Sequence, residues 1–493
     1  MAAEMVAMQT SSALVRTDAP LRVLDGFGGS MRAACRTLSP RTSEELSQML
    51  ARANDAGLSI ALRGSGRSYG DAALGSDGLV IDARGLNQIL SWDPVSGVAE
   101  VEAGVQLADL WKRALPDGYW PAVVPGTMFP TMGGMAAMNV HGKNQFKAGV
   151  FGEHVLWFDL ITANGSTVRA SRERNPELFH AALGGAGLLG AFARIALKLK
   201  PVESGRMKVG SIPVSSFAEQ FALFDELREG ADYLVSWIDC FASGATLGRG
   251  QIHVAHHLHA NDDPRAVESL RLEEQTLPAH ILGFPKSQLW RVMQLFTNDF
   301  AWRSVCLAKY LAARLAGRKH TYLQSHAAFA FLLDYVPDWR RAYDPRGFLQ
   351  HQLFVPDPAA RTVFPEVLRL LQKHGTPSYL GVLKRHKADP FLLSHGFDGW
   401  SLAMDFPIGR DGGARLRAAA REVTQLALGA GGKFYLAKDQ LLEPAQIERA
   451  YGAKLDEFFA LKAKVDPRGT LQSDQARRLF PERLRALTSA RAK

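Results

Sequence analysis

Cysteine is scarce in this chain. Three in 493 residues, Cys35, Cys240 and Cys306, are too scattered for a disulfide framework or a thiolate metal site. They are expected to be idle, buried thiols of a protein kept in a reducing compartment, and no metal is expected. Long apolar runs are missing too: Ala327 to Leu333 falls well short of the ~20 residues that cross a bilayer. Met1 to Arg22 lacks the basic start, apolar core and small-residue cleavage site of a signal peptide, so a cytoplasmic location is expected. No internal repeat, low-complexity tract, zinc motif, helix-turn-helix or RNA-binding signature is present, and nucleic acid is not an expected partner.

What is present is ordinary globular composition, 47% hydrophobic and 22% charged, in a chain long enough for roughly two to four structural units. Lys plus Arg outnumber Asp plus Glu by 58 to 49, a net +9. Such an excess is a solvated basic surface, or it draws anionic cofactors, phosphorylated substrates or an anionic membrane.

Helical spacing over Ser43 to Ala56, with Ser43 as N-cap and Gly57 as stop, precedes short strands at Ile60 to Arg63 and Leu79 to Asp82. Val98 to Val105 alternates like a strand and Leu107 to Leu115 returns to helix, so the first half is a mixed α and β unit. The pattern changes at Lys198-Leu-Lys-Pro201, a crossing between domains. Beyond it, helices are expected at Phe217 to Arg228 and Phe364 to Lys373, strands at Gly347 to Val355 and Trp400 to Phe406, and a mostly helical end from Pro444.

Three glycine-rich segments carry the chemistry. Arg63-Gly-Ser-Gly-Arg-Ser-Tyr-Gly-Asp71 follows a strand, and its glycines let backbone N–H groups turn inward as a nest for phosphate oxygens. Arg63 and Arg67 add charge and Ser68 a hydroxyl; a plain surface turn is the bland alternative. Pro125-Gly-Thr127 and Thr131-Met-Gly-Gly134 run into Asn139-Val-His-Gly-Lys-Asn144, which suits backbone pressed against a large planar or phosphorylated ligand. Gly185-Ala-Gly-Leu-Leu-Gly190 has dinucleotide-fingerprint spacing but follows a helix at Pro176 to Ala182, so a nicotinamide site is rejected.

In this order the three segments resemble the PCMH-type FAD-binding domain of the vanillyl-alcohol oxidase superfamily. Within it, the chain is similar to the decaprenylphosphoryl-β-D-ribose 2′-oxidase branch from about Leu24 to Leu479. The motifs in register are Gly66-Arg-Ser-Tyr-Gly-Asp71, His141-Gly-Lys-Asn144, Gly347-Phe-Leu-Gln350, Asp405-Phe-Pro407, Tyr435-Leu-Ala-Lys-Asp439 and Val465-Asp-Pro467. The resemblance implies an α+β, two-domain flavoprotein. Residues 1–205 and 433–493 would bind FAD, and residues 206–432 would form an antiparallel-sheet substrate domain. FAD would touch Arg63, Gly64, Ser65, Gly66, Arg67, Ser68, Tyr69, Gly70, Asp71, Gly126, Thr131, Gly133, Gly134, Met138, Asn139, Val140, His141, Phe192 and Tyr435.

Lys438 is the first choice for the polar group at the substrate hydroxyl, because a desolvated lysine has a lowered pKa. Tyr69, His141, Gln352 and Lys384 match catalytic-pocket positions, with Trp237, Gln350 and Asp405 as substrate wall. Arg67 stands where many superfamily members attach FAD through histidine, which implies non-covalent FAD. Ala403 replaces a cysteine and Ala330 a tyrosine of the branch's mycobacterial members, so a thiol is dispensable and the pocket is wider. The implied reaction oxidises the 2-hydroxyl of a polyprenyl-phosphate pentose, with a short-chain reductase as partner and peripheral contact with the inner membrane. An aldonolactone or other small-alcohol oxidase, and a flavin-binding subunit without turnover, are the alternatives.

Overall fold

The computed structural model describes residues 19–277, 279–281, 283–318 and 320–489. Residues 1–18, on which most of the signal-peptide reading rests, lie outside the described residues.

The first sheet orders its strands Leu21–Asp25, Arg32–Leu38, Leu79–Asp82, Ile60–Arg63, and the last three run parallel. The helix Ser43–Asp55 is the crossover that joins Arg32–Leu38 to Ile60–Arg63, the two parallel strands either side of Leu79–Asp82. Leu46, Leu50 and Ala53 form its buried stripe, packed with Ile60, Leu79 and Ile81. Its cap is Thr42, one residue earlier than expected, whose hydroxyl accepts from the Glu45 amide at 3.2 Å. The glycine-rich loop leaves the C-terminal end of Ile60–Arg63, where open α/β sheets place their ligands.

A second, antiparallel sheet orders Ile89–Asp93, Val98–Glu102, Ala191–Lys198, Val155–Ile161 and Thr167–Ser171. The third glycine segment lies between the helix Pro176–Ala182 and the strand Ala191–Lys198. Helix–loop–strand is the reverse of the strand–loop–helix order of a dinucleotide fold, in accord with the rejected fingerprint.

The chain then builds an eight-stranded antiparallel sheet. Its order is Thr321–Ser325, Arg206–Val214, Gly250–His257, Tyr233–Ile238, Leu380–His386, Gly399–Pro407, Phe348–Pro356, Lys433–Phe434. Alternation divides the faces. Leu349, Leu353, Leu383, Leu402 and Met404 pack under the helices Phe217–Leu227, Ala360–Lys373 and Ala414–Gly429. The other face carries the buried polar groups Gln350, Gln352, Ser401 and Asp405 together with the half-buried Lys384. An antiparallel sheet normally wets its polar face, so burial of this one marks a covered cleft.

Lys433 and Phe434 pair with Phe354 and Leu353, so the expected break after residue 432 adjoins the last strand of this sheet. From there the chain returns to the first sheet, where Leu471 bridges to Ile60. Buried Lys462 ties that return down: its ammonium donates to Asp466 and to the carbonyls of Leu188 and Leu471 at 2.7–2.8 Å.

Candidate active site

A cavity lies between the glycine-rich segments and the polar face of the large sheet. Residues Arg63, Gly64, Ser65, Gly66, Arg67, Ser68 and Tyr69 form one wall. Gly126, Thr131, Gly133, Gly134, Met138, Val140 and His141 form the next, and Ala186, Gly187, Gly190 and Phe192 the third. Tyr435, Lys384 and Lys438 close the end beneath the large sheet.

Close backbone approach explains the glycines. A Cβ on Gly64 would stand 2.2 Å from the Thr131 hydroxyl, which caps the helix Met132–Ala137. Gly66 has φ +63°, and a Cβ there would meet the Arg63 guanidinium at 2.3 Å. That guanidinium donates to the Asp25 and Ala73 carbonyls and holds the loop in shape. The cradle also exposes unused polar groups: Ser65 Oγ and Arg67 Nε are buried without a hydrogen-bond partner. Buried donors are rarely orphaned, so these fit a ligand rich in acceptors, as FAD is. Arg67 itself lies between Phe27 and Phe129, 5.2 and 5.0 Å from their ring centroids.

Three expected FAD contacts stand outside the lining. A Cβ on Gly70 would lie 2.4 Å from the Asp439 carbonyl, so this glycine serves contact with the returning C-terminal segment. Asp71 accepts two bonds from Arg478, both 2.8 Å, and Arg478 also grips Asp439. Asn139, at φ +42°, accepts from the Gly152 amide at 2.9 Å. These residues shape the cradle from behind.

At the end beneath the large sheet Tyr69, His141, Lys384 and Lys438 line the cavity. Gln352, Gln350, Asp405 and Trp237 sit on the same sheet face without lining it. Trp237, Val382, Ala403 and Gln352 form one row across four strands, and Asp405 pairs with Gln350 in another. The Gln352 amide donates to His141 Nε2 at 3.2 Å and to Ser401 at 3.0 Å. Gln350 donates to Asp405. Lys438 Nζ lies 5.9 Å from the Tyr69 ring centroid.

Burial governs the electrostatics. It lowers Lys438 to about 8, against the pull of Asp405 in the other direction. Lys384 falls well below the lysine range, first by burial and then by repulsion from Lys438 and Lys143. Asp405 rises to about 6 by burial, and Tyr69 well above the phenol range for the same reason. His141 falls well below the imidazole range, first by burial and then through its neighbours Lys384, His395 and His386.

Other members of the neighbourhood were not singled out from the sequence. Lys143, within the motif His141–Asn144, donates to the carbonyls of Phe329 and Ala330 and falls to about 7 through burial. Only tertiary structure brings residues 143 and 330 together; the lysine in a motif beside a histidine was the available signal. His386 shares Ser401 with Gln352 at 2.7 Å, and His395 packs 4.4 Å from Tyr435. Ala403 places no thiol in the row beside Gln352.

Comparison with known proteins agrees with this geometry. A family model described as an FAD binding domain matches residues 36–171. The decaprenylphosphoryl-β-D-ribose oxidase of Mycolicibacterium smegmatis is 34% identical over 463 residues, 92% of this chain and 97% of its own length. A Streptomyces coelicolor protein named only as an uncharacterized protein in the mprA 5′ region is 30% identical, covering 76% of this chain and all of its own length. Bovine L-gulonolactone oxidase is 30% identical over 162 residues, 33% of this chain and 36% of its own length. A cradle suited to FAD and a match along nearly the whole of both chains lead to one conclusion: this chain belongs to the decaprenylphosphoryl-β-D-ribose oxidase family of FAD-dependent oxidoreductases.

Proposed function

We propose that this enzyme oxidises the 2-hydroxyl of a polyprenyl-phosphate pentose to a ketone, the first half of an epimerisation that a separate reductase completes. The observation that carries this reading is the pair of half-buried lysines, Lys384 and Lys438, at the cavity end under the large sheet. Bound FAD supplies a two-electron acceptor for the carbinol hydride. The chain's own residues must hold the sugar and receive the hydroxyl proton. Lys438 suits the proton, since a pKa of about 8 leaves it a usable fraction of free amine near neutrality. Asp405 restrains that pKa from falling further, and Gln350 fixes the carboxylate. Lys384, Gln352 and neutral His141 offer a polar wall for the remaining hydroxyls, and Trp237 extends the same face.

The cofactor would lie with its phosphates along Gly64–Ser68 and Thr131–Gly134 and its ring toward Tyr435 and Lys438. It would be bound non-covalently, because a guanidinium at position 67 cannot form the histidyl link and His141 is the sole histidine or cysteine among the described lining residues. Residues 1–205 with 433–493 would form the flavin domain and residues 206–432 the substrate domain. The basic excess favours a peripheral position at the inner membrane, where a lipid phosphate resides. Among the described residues no helix is long and apolar enough to cross a membrane.

Anaerobic flavin reduction against polyprenyl-phosphate pentoses, free aldoses and sugar lactones tests the reading. Bleaching by the lipid-linked pentose alone is expected. Bleaching by a soluble lactone and not by the pentose would transfer the assignment to an aldonolactone oxidase, and no bleaching by any alcohol would leave a flavin-binding subunit.

A further inference from the structure

The helix Asp299–Ala316 has 18 residues, about 27 Å at 1.5 Å per residue, and two apolar faces where one is enough for packing. Its inner face is satisfied. Cys306, Tyr310 and Ala313 are buried, and Cys306 and Tyr310 cluster with Trp237 and Tyr379 on the substrate sheet. Trp302 donates its indole N–H to the Tyr379 carbonyl at 2.5 Å. The outer face carries Phe300, Leu307, Leu311 and Leu315, with Leu315 90% and Phe300 84% exposed. Leu295 and Phe296, just before the helix, prolong the stripe and are exposed as well.

Scattered exposed leucines need no explanation, but a continuous stripe on one helix does. Its flanks are cationic. From Lys286 to Arg318 the chain has six cations against a single acid, Asp299, which accepts from the Tyr379 hydroxyl; of the six, Lys309 rests on the inner Trp237 ring and Arg318 pairs with Glu219. Arg303 and Arg314, beside the stripe, have no carboxylate partner among the described residues. Apolar residues bordered by cations without intervening acids are the pattern of a helix lying in a lipid interface.

We infer that this outer face docks the enzyme on an anionic phospholipid surface. Leucine and phenylalanine would enter the acyl boundary while Arg303 and Arg314 meet the headgroup phosphates. A second copy of the chain is the weaker occupant. Stacking the stripe on itself would juxtapose like-charged arginines, and one helix face offers little of the ~800 Å² per partner that a stable interface buries. Because the inner face of the same helix rests on the row of Trp237, docking brings the substrate sheet to the lipid surface. That deepens the proposed function, on which it rests in this respect: a polyprenyl tail can stay in the bilayer while its sugar enters the cavity.

The test is co-sedimentation of the FAD-loaded enzyme with vesicles of phosphatidylcholine alone or mixed with phosphatidylglycerol. Binding should be at least about tenfold stronger to the anionic vesicles and should weaken with added salt. The double variant Leu307→Glu/Leu311→Glu should lose about tenfold or more of that binding while its flavin spectrum and melting temperature stay unchanged. Absence of vesicle binding, or equal binding by the variant, would overturn the inference. So would a parent dimer in analytical ultracentrifugation that the variant breaks up. Sedimentation requires no turnover, so docking is tested independently of whether the pentose proves to be the substrate.

Discussion

Replacement of Asp405 by asparagine should shift the pH dependence of flavin reduction toward acid. Lys438 rests at about 8 because burial lowers it and Asp405 opposes the fall. At pH 7.5 a lysine of that pKa is about one-quarter free amine, against about one part in a thousand at the ordinary value of 10.5. If the free amine takes the hydroxyl proton, kcat/KM for anaerobic bleaching should rise about tenfold per pH unit well below 8 and level off above it. The sign follows from the charge: acid fills the amine and removes the base, so activity is lost downward. Asp405→Asn removes the negative charge that favours the protonated amine, so its inflection should lie below that of the parent. Lys438→Met should abolish the inflection and slow bleaching by ~10²–10⁴-fold. Stopped-flow bleaching across the pH range decides the matter. An inflection that stays in place in Asp405→Asn, or survives in Lys438→Met, would refute the assignment of the base.

Lys462→Met leaves Asp466 charged and buried, and should cost about 3–5 kcal/mol in denaturant unfolding. Loss of less than about 1 kcal/mol would show that the site admits water. Gly64→Ala forces a methyl into the Thr131 hydroxyl at 2.2 Å, so FAD affinity by fluorescence titration should drop at least about tenfold with the fold retained. Acid precipitation should leave a colourless pellet and a yellow supernatant; a yellow pellet would contradict non-covalent FAD.

The local parts of this fold were legible because their causes are local. Ile60–Arg63 and Leu79–Asp82 match the expected strands residue for residue, and Pro176–Ala182 the expected helix. Gly57, at φ +65°, follows the first helix as its stop signal indicated. The cap was misplaced by one residue because Thr42 and Ser43 are both good caps and only backbone geometry separates them. The glycine loop was readable up to Tyr69 but not beyond it. Asp71 has the composition of a ligand contact, yet its partner Arg478 lies 407 residues away, a separation that no local pattern encodes. The same limit hid Lys143, whose acceptors sit near residue 330. It also hid the helix Asp299–Ala316, since sequence alone does not show which of its apolar faces is covered and which is bare.

The wall that holds Lys438 is assembled from two segments far apart in the sequence. The Tyr69 amide donates to the Ala437 carbonyl at 2.8 Å, and Asp71 waits for Arg478. During synthesis the glycine loop therefore emerges hundreds of residues before the segment that completes it. Closing so long a loop is slow and leaves the first sheet's partner surface open in the meantime. Cofactor capture should accordingly be a late event that waits for Arg478, and a chain cut short before Arg478 should emerge without tightly held flavin.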